Sequence, residues 1–346
     1  MNELLDKLCR ERRLEKEEWR ALLADRFALD RQALYDRAAA ERRKWYGDQI
    51  YVRALIECSN ICKNDCLYCG IRRSNRHAAR YRLDRSTILA CCEKGYEWGF
   101  RTFVLQGGED PGLTPDWVAE TVRAIKSRFP DCAVTLSLGE FDREVYQMWF
   151  DAGADRYLLR HETADADHYG KLHPPELTLE HRMNCLRTLK DIGYQVGAGF
   201  MVGSPGQTAE TLAADFCFLQ DFRPHMVGMG PFIPQKDTPF REEKAGTLEL
   251  TLFLLGLLRL MLPKVLLPST TALSTIHPDG RKMGILAGAN VVMPNLSPQE
   301  NRKFYSLYDN KRSMGDEAAE GLALLKAETE SIGYRVVSAR GDSLVE

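Results

Sequence analysis

From residue 50 onward the chain repeats one rhythm: a short apolar or β-branched run, a loop, then a stretch with helical periodicity. Runs that read as strands fall near 52–57, 102–106, 133–138, 156–160, 195–201, 225–230, 265–271 and 289–293, eight in all. The helices between them mark their own starts. Thr114 is placed to cap a helix whose first residue is Pro115, with Val118, Val122, Ile125 and Phe129 on one face. Asp84 caps a helix that ends before Gly99, Thr178 one that stops at Gly193, and Thr208 one that presents Leu212, Phe216 and Leu219. Alternation of this kind builds a parallel sheet, since a parallel connection needs a crossover long enough to hold a helix. Eight units favour closure into an α/β fold of the (β/α)8 TIM-barrel type. An open doubly wound sheet is the competing arrangement.

A bare barrel needs about 250 residues, and this chain has 346, so extensions are expected at its ends. Residues 2–44 read as two amphipathic helices, with Leu4, Leu5 and Leu8 opening an apolar stripe that Leu22, Leu23 and Phe27 continue. Residues 300–346 read as a closing helical segment and a short tail, whose Arg340-Gly341-Asp342 triplet is a coincidence of sequence. The expected division is an N-terminal helical extension over 1–48, a barrel over 49–310, and a C-terminal closing helix and tail over 311–346.

Charge is balanced: 47 Lys plus Arg against 49 Asp plus Glu give a net charge of −2. That balance points away from nucleic acid and from an anionic membrane as partners. The first residues lack an apolar secretory core and mix acids among their arginines, unlike a transit peptide. The longest apolar stretch, Leu248 to Leu262, contains Glu249 and Arg259 and is too short to span a bilayer. A cytoplasmic protein is the expectation, and there disulfides are not expected among the ten cysteines.

Four of those cysteines crowd into Cys58-Ser-Asn-Ile-Cys62-Lys-Asn-Asp-Cys66-Leu-Tyr-Cys69-Gly70, directly after the first strand. A loop at the C-terminal face of a barrel is where such folds carry chemistry. The spacing Cys62-x3-Cys66-x2-Cys69 lets three thiolates converge from one loop. Three thiolates suit a four-iron cluster that keeps one iron open for a ligand, whereas structural metals are fully coordinated. Two plainer readings compete: a closed four-cysteine zinc site that includes Cys58, and a set built on Cys58, Cys62 and Cys66. Cys58, at the strand end, reads as core, and the remaining scattered cysteines read as small buried hydrophobes.

The CxxxCxxC loop with Tyr68 beside its last ligand resembles the radical S-adenosylmethionine (SAM) superfamily. Further motifs at strand ends narrow the resemblance: Gln106-Gly107-Gly108-Glu109-Asp110-Pro111, Thr135 to Glu140, Tyr157 to Thr163, Gly197 to Thr208, and Gly228 to Pro234. Over residues 45–310 they resemble the HydE family of [FeFe]-hydrogenase maturases, with biotin synthase and methylornithine synthase as relatives by pattern. The resemblance implies a [4Fe–4S] cluster on Cys62, Cys66 and Cys69, and SAM as the second cofactor. It implies that Gly107 and Gly108, beside Gln106, receive the methionine amino group, that Glu109 shapes this segment, and that the backbone of Tyr68 contacts adenine. Glu162 resembles the carboxylate that accepts the ribose hydroxyls and Arg182 the cation that holds the SAM carboxylate. Ser137, Gly203 and Met229 fall in the same cofactor motifs. Arg160, Met226, Thr270, Thr271 and Tyr305 match positions that line a substrate cavity. Arg156 and His161 are weaker candidates that serve equally well as satisfied structural groups.

The family also implies a reaction: a 5′-deoxyadenosyl radical acting on a small anionic, cysteine-bound iron carbonyl cyanide complex. HydG-type and HydF-type maturases and an electron donor would be its partners. No cysteine follows Cys217, so a second C-terminal cluster carried by some members is not expected. Two other classes of function compete, a small-metabolite radical mutase or synthase and a zinc-binding interaction module.

Overall fold

Eight parallel positions close on themselves around the core of this protein, whose computed structural model describes residues 3–311 and 318–345. Residues 312–317 and 346 of the expected C-terminal segment, and residues 1 and 2, lie outside the described residues.

Three helices come first, α1 (Glu3–Glu11), α2 (Lys16–Ala24) and α3 (Arg31–Tyr46), where two were expected. Arg12, at φ +58°, ends the first, and the Asp30 side chain caps the third by accepting from Ala33 N–H. The expected strand at 52–57 is two strands, β1 (Gln49–Val52) and β2 (Ala54–Ser59), separated by Arg53. Then follow α4 (Arg85–Glu97), β3 (Thr102–Gly107), α5 (Pro115–Arg128), β4 (Ala133–Ser137), α6 (Arg143–Asp151) and β5 (Arg156–Leu158). The middle of the chain gives α7 (Ala166–Leu172), α8 (Leu179–Ile192), β6 (Gln195–Ala198), β7 (Met201–Val202), α9 (Ala209–Phe222), β8 (Met226–Val227) and β9 (Gly230–Pro231). The last part holds α10 (Leu248–Met261), α11 (Thr271–Ile276), α12 (Gly280–Leu286), β10 (Val291–Val292), α13 (Gln299–Arg302), α14 (Ala318–Glu330) and β11 (Arg335–Val337).

The predicted caps form. Asp84, Thr114, Thr178 and Thr208 each accept from the backbone N–H three residues on, and Gly193 ends α8 in the left-handed conformation.

Strands β2, β3, β4, β5, β6 and β8 pair in that order, all parallel. Closure is made by single bridges: Met226 with Leu266, Pro268 with Val291, and Asn295 with Leu55. The run 265–271 is therefore not a strand. Pro268 has no N–H for a ladder, and Thr271 already opens α11. The expected strands at 195–201 and 225–230 each break in two for a related reason. Gly199 has φ +148°, and a Cβ there would lie 1.9 Å from the Gly228 carbonyl oxygen. The two backbones cross too closely to continue one pleat, and β7 and β9 pair separately beyond the crossing.

Helices cover the outside of the barrel. The whole of α10 from Thr251 onward is buried, and Gly256 lets Leu34 of α3 approach it. Trp19 of α2 packs on Phe216 of α9 with ring centroids 4.6 Å apart. No described helix is long and apolar enough to cross a membrane. All ten cysteines are free thiols, and Cys9 and Cys217 are only half-buried, unlike the core positions expected for them.

The C-terminal stretch holds a strand as well as a helix and a tail. β11 pairs parallel with β1, Gln49 opposite Arg335, in a small sheet of order β10-β1-β11. Beyond it, the Arg-Gly-Asp triplet has a structural role after all. Arg156, on β5, donates to the Asp342 carboxylate at 2.5 Å and to the Arg340 carbonyl at 3.0 Å, and Arg340 pairs with Asp155 at 3.0 Å. The tail thus covers the N-terminal end of the barrel, away from the loops that follow the strands.

Candidate active site

The loop that follows β2 runs across the C-terminal end of the barrel and is pinned along its length. Asn60 donates to the carbonyls of Ala79 and Phe304 at 2.8 and 2.7 Å. Arg80 donates to the carbonyls of Asn60, Ile71, Arg72 and Asn75 at 2.6 to 3.1 Å. Asp65 accepts from Arg72 at 2.6 Å and from Ser74 N–H at 3.0 Å. A loop with its backbone groups satisfied this way holds its side chains in fixed directions.

The loop also lies on the end of β3. Lys63 N–H donates to the Glu109 carbonyl at 2.9 Å and Gly108 N–H to the Ser59 carbonyl at 3.0 Å. A Cβ on Gly108 would stand 2.3 Å from the Ile61 carbonyl oxygen and 2.8 Å from Cys62 Cβ. Only glycine leaves room there.

Cys62, Cys66 and Cys69 line one cavity of about 530 Å³ in the mouth of the barrel. Cys58 does not; its side chain is buried and donates to the Ile56 carbonyl. Burial raises all three cavity thiols above the ordinary cysteine value, Cys69 to about 12. A buried thiol that resists ionisation in isolation becomes a thiolate when a metal replaces its proton. Three thiols carried by one loop and lining one cavity are the soft donor set that an iron–sulfur cluster takes, and the residues present fit it.

The same cavity is lined by Tyr68, by Gln106, Gly107, Gly108 and Glu109 at the end of β3, by Ser137 at the end of β4, and by Glu162 and Arg182. Arg160, Thr270, Thr271 and Tyr305 line it as well. Three expected residues are not among its lining. Met226 is buried against the Arg53 guanidinium, Met229 is fully buried, and Gly203, at φ +71°, packs against Gly246. Arg156 lies at the opposite end of the barrel, on the tail. His161 is fully buried beneath Glu162.

Arg182 extends from α8 into the cavity wall. Its Nε donates to Glu140 at 2.5 Å and its Nη1 to the Arg160 carbonyl at 2.9 Å. Glu140 N–H in turn donates to Glu109 Oε1 at 3.1 Å, and Lys63 lies 3.2 Å from Glu109 Oε2. Tyr68, half-buried, packs edge-on against His173. Because His173 Nδ1 donates to the Tyr169 carbonyl, its Nε2 accepts from the Tyr68 hydroxyl at 3.3 Å. Burial, with Arg182 nearby, lowers His173 to about 3 and keeps it neutral.

Several polar atoms here are buried without hydrogen-bond partners: Arg160 Nε and Nη2, Glu162 Oε2 and Thr270 Oγ1. Arg160 and Glu162 stand 3.0 Å apart, but in an orientation that leaves the facing atoms unsaturated. Buried groups of this kind call for a polar ligand.

Sequence reasoning missed four groups at this end. Glu140 is one. The others are Glu57, Asn295 and Lys311: Glu57 accepts from Asn295 at 2.7 Å and from Lys311, which also donates to the Tyr305 carbonyl at 3.1 Å. Glu57 sits inside a continuous strand and Lys311 is 254 positions further on, so no local spacing relates them.

Residues 56–218 match the radical SAM superfamily. Over 313 residues the chain is 47% identical to the [FeFe] hydrogenase maturase subunit HydE of Thermotoga maritima, which covers 89% of this chain and 88% of that protein. It is 30% identical over 298 residues to a 3-methylornithine synthase of Methanosarcina acetivorans, covering 86% and 83%. Among solved structures, methylornithine synthase (PylB) superposes with a TM-score of 0.83 at 27% identity, covering 96% of this chain and 97% of that one.

Proposed function

This chain belongs to the radical SAM superfamily and, within it, to the HydE family of [FeFe] hydrogenase maturases; on that premise we propose that it acts in assembly of the diiron subcluster of [FeFe]-hydrogenase. Its substrate in this reading is a small anionic iron carbonyl cyanide complex carried on cysteine. A HydG-type maturase supplies that complex, a HydF-type scaffold receives the product, and a cytoplasmic electron donor completes the set of partners.

Cys62, Cys66 and Cys69 would hold a [4Fe–4S] cluster, and SAM would bind in the same cavity. The chemistry supplied there, once both are loaded, is one-electron reductive cleavage of a SAM carbon–sulfur bond to give a 5′-deoxyadenosyl radical. The chain's own residues bind and orient. Arg182, held by Glu140, meets the SAM carboxylate in a fixed direction. Gln106, Gly107 and Gly108 offer close backbone approach to the amino group, with Glu109 alongside. Glu162 takes the ribose hydroxyls, and the backbone of Tyr68, with Ser137, completes the nucleoside pocket. Arg160, Thr270, Thr271 and Tyr305 face the substrate. The cavity lies in the mouth of the barrel, whose wall sets the distance between reacting groups.

What carries the reading is the meeting of three thiols and a set of unsatisfied polar side chains on one cavity, in a chain 47% identical to a HydE. The test is complementation. Supplied anaerobically to a host that has an [FeFe]-hydrogenase but lacks its own HydE, this protein restores hydrogenase activity, and a Cys62/Cys66/Cys69→Ala variant does not. No restoration, together with 5′-deoxyadenosine formation stimulated by lysine, would favour a methylornithine synthase-like activity instead.

A further inference from the structure

Glu162 stands in a conformation that its own chemistry disfavours. It has φ +63°, in the left-handed region that a side chain with a Cβ seldom occupies. Thr163 N–H donates to the His161 carbonyl at 2.8 Å, closing a three-residue turn centred on Glu162. Turns of this kind with positive φ are rare and strained, and they persist only where neighbours over-determine them.

The neighbours are identifiable. His161 Nδ1 accepts from Gly199 N–H at 3.2 Å, so the ring carries its proton on Nε2. That Nε2 lies 3.3 Å from Asp215 Oδ1 on α9, in contact but not aligned for a hydrogen bond, and both side chains are fully buried. The same Asp215 oxygen accepts from Ala164 N–H at 2.6 Å. One carboxyl thus faces the residue before the turn and the residue after it. Glu162 N–H donates to the Gly199 carbonyl at 3.0 Å, which ties the turn to the β6 end as well. Burial lowers His161 to about 3 and raises Asp215, so neither favours its charged form at this depth. A strained residue on the cavity wall, clasped from behind by groups that touch no cavity, has the form of a pre-organising support.

We infer that Asp215 and His161 form a buried brace that holds Glu162 in its left-handed turn and so aims its carboxylate at the nucleoside of the bound cofactor. They are positioning residues and touch neither cofactor nor substrate. The inference rests on the reading of Glu162 as the ribose-binding carboxylate.

The test uses the anaerobically reconstituted full chain and reads SAM affinity by equilibrium dialysis, alongside iron content and thermal melting. Asp215→Ala weakens SAM binding about tenfold, the share of molecules no longer holding the turn, while Asp215→Asn, whose amide oxygen still accepts, stays within about twofold. Iron content is unchanged in both. Combined with Glu162→Gln, Asp215→Ala weakens binding no further, because it acts through Glu162. Should Asp215→Ala not fold, His161→Phe removes the same support at similar volume and loses the same affinity. Normal SAM affinity in Asp215→Ala or His161→Phe overturns the brace, as does an equal loss in Asp215→Asn or an undiminished loss in the Glu162→Gln background. A Glu162→Gln variant that binds SAM normally removes Glu162 from the cofactor, and the brace with it.

Discussion

At the scale of single residues, what the sequence discloses is chemistry of a fixed local spacing. The three cysteines lie within eight positions of one another, and a pinned loop brings them to one cavity. Glu140 and Asp215 were not legible as site residues, because each acts on a group from another strand or helix that no local spacing relates to it. Two predictions belong here. Replacing Glu162 by Gly and by Ala removes the carboxylate in both cases, but only Gly accepts φ +63° freely. The Gly variant is therefore more stable than the Ala variant by about 1 kcal/mol in denaturant unfolding; a more stable Ala variant would mean the turn carries no strain. The second concerns Arg182. Arg182→Met leaves Glu140 buried without its partner and costs about 3 kcal/mol, and adding Glu140→Gln recovers most of that loss. Neither variant regains SAM affinity. A double variant as unstable as the single one would show that the pair contributes nothing as a pair.

Elements were legible where packing repeats along the chain and obscure where it does not. The helix starts carried their own caps, and the strands carried their β-branched runs. What the pattern concealed was interruption. The strand at 195–201 breaks at a glycine crossing, and the run at 265–271 offers a proline where a ladder needs an N–H, though both read as continuous apolar stretches. β11 was missed because a three-residue strand, exposed at Arg335 and only half-buried at Val336 and Val337, has no period to detect. The junction of β3 with the cysteine loop gives the prediction at this scale. Gly108→Ala places a methyl 2.3 Å from the Ile61 carbonyl oxygen, and this contact is with backbone that Ser59 and Glu109 hold on either side. The loop must lift, and the three thiols lose their common direction. Iron and sulfide content after anaerobic reconstitution falls to well under half of the wild-type value, while the far-ultraviolet circular dichroism of the barrel is unchanged. Full cluster loading in Gly108→Ala would mean the loop does not depend on its seat.

For the whole molecule, closure is a matter of both ends. The upper end carries the cavity; the lower end is covered by a tail whose order is not legible from its own residues, since its partners lie on β5 and in the loop before it. Asp342 is the anion of that cover, facing Arg156 at 2.5 Å and Arg340 at 3.0 Å. Burial by itself would raise its carboxyl, but Arg340 and Arg156 outweigh that effect and bring it down from 3.8 to about 2. The unfolded chain therefore takes up a proton at Asp342 before the folded one does, and the stabilisation is whole above pH 4. It shrinks as pH falls from 3.8 towards 2 and is gone below that. The Asp342 side chain is 41% exposed, so solvent screens the pair and its worth is about 1 kcal/mol. Asp342→Asn should accordingly lower the melting temperature by about 2 °C at neutral pH, with a constant deficit from pH 8 down to pH 5. Below pH 4 the wild-type protein loses the advantage and the two melting curves converge. A deficit that persists unchanged to pH 2.5 would show that the tail is held by its backbone carbonyls, Arg340 accepting from Arg156 and Gly341 from Arg53, rather than by the Asp342 charge.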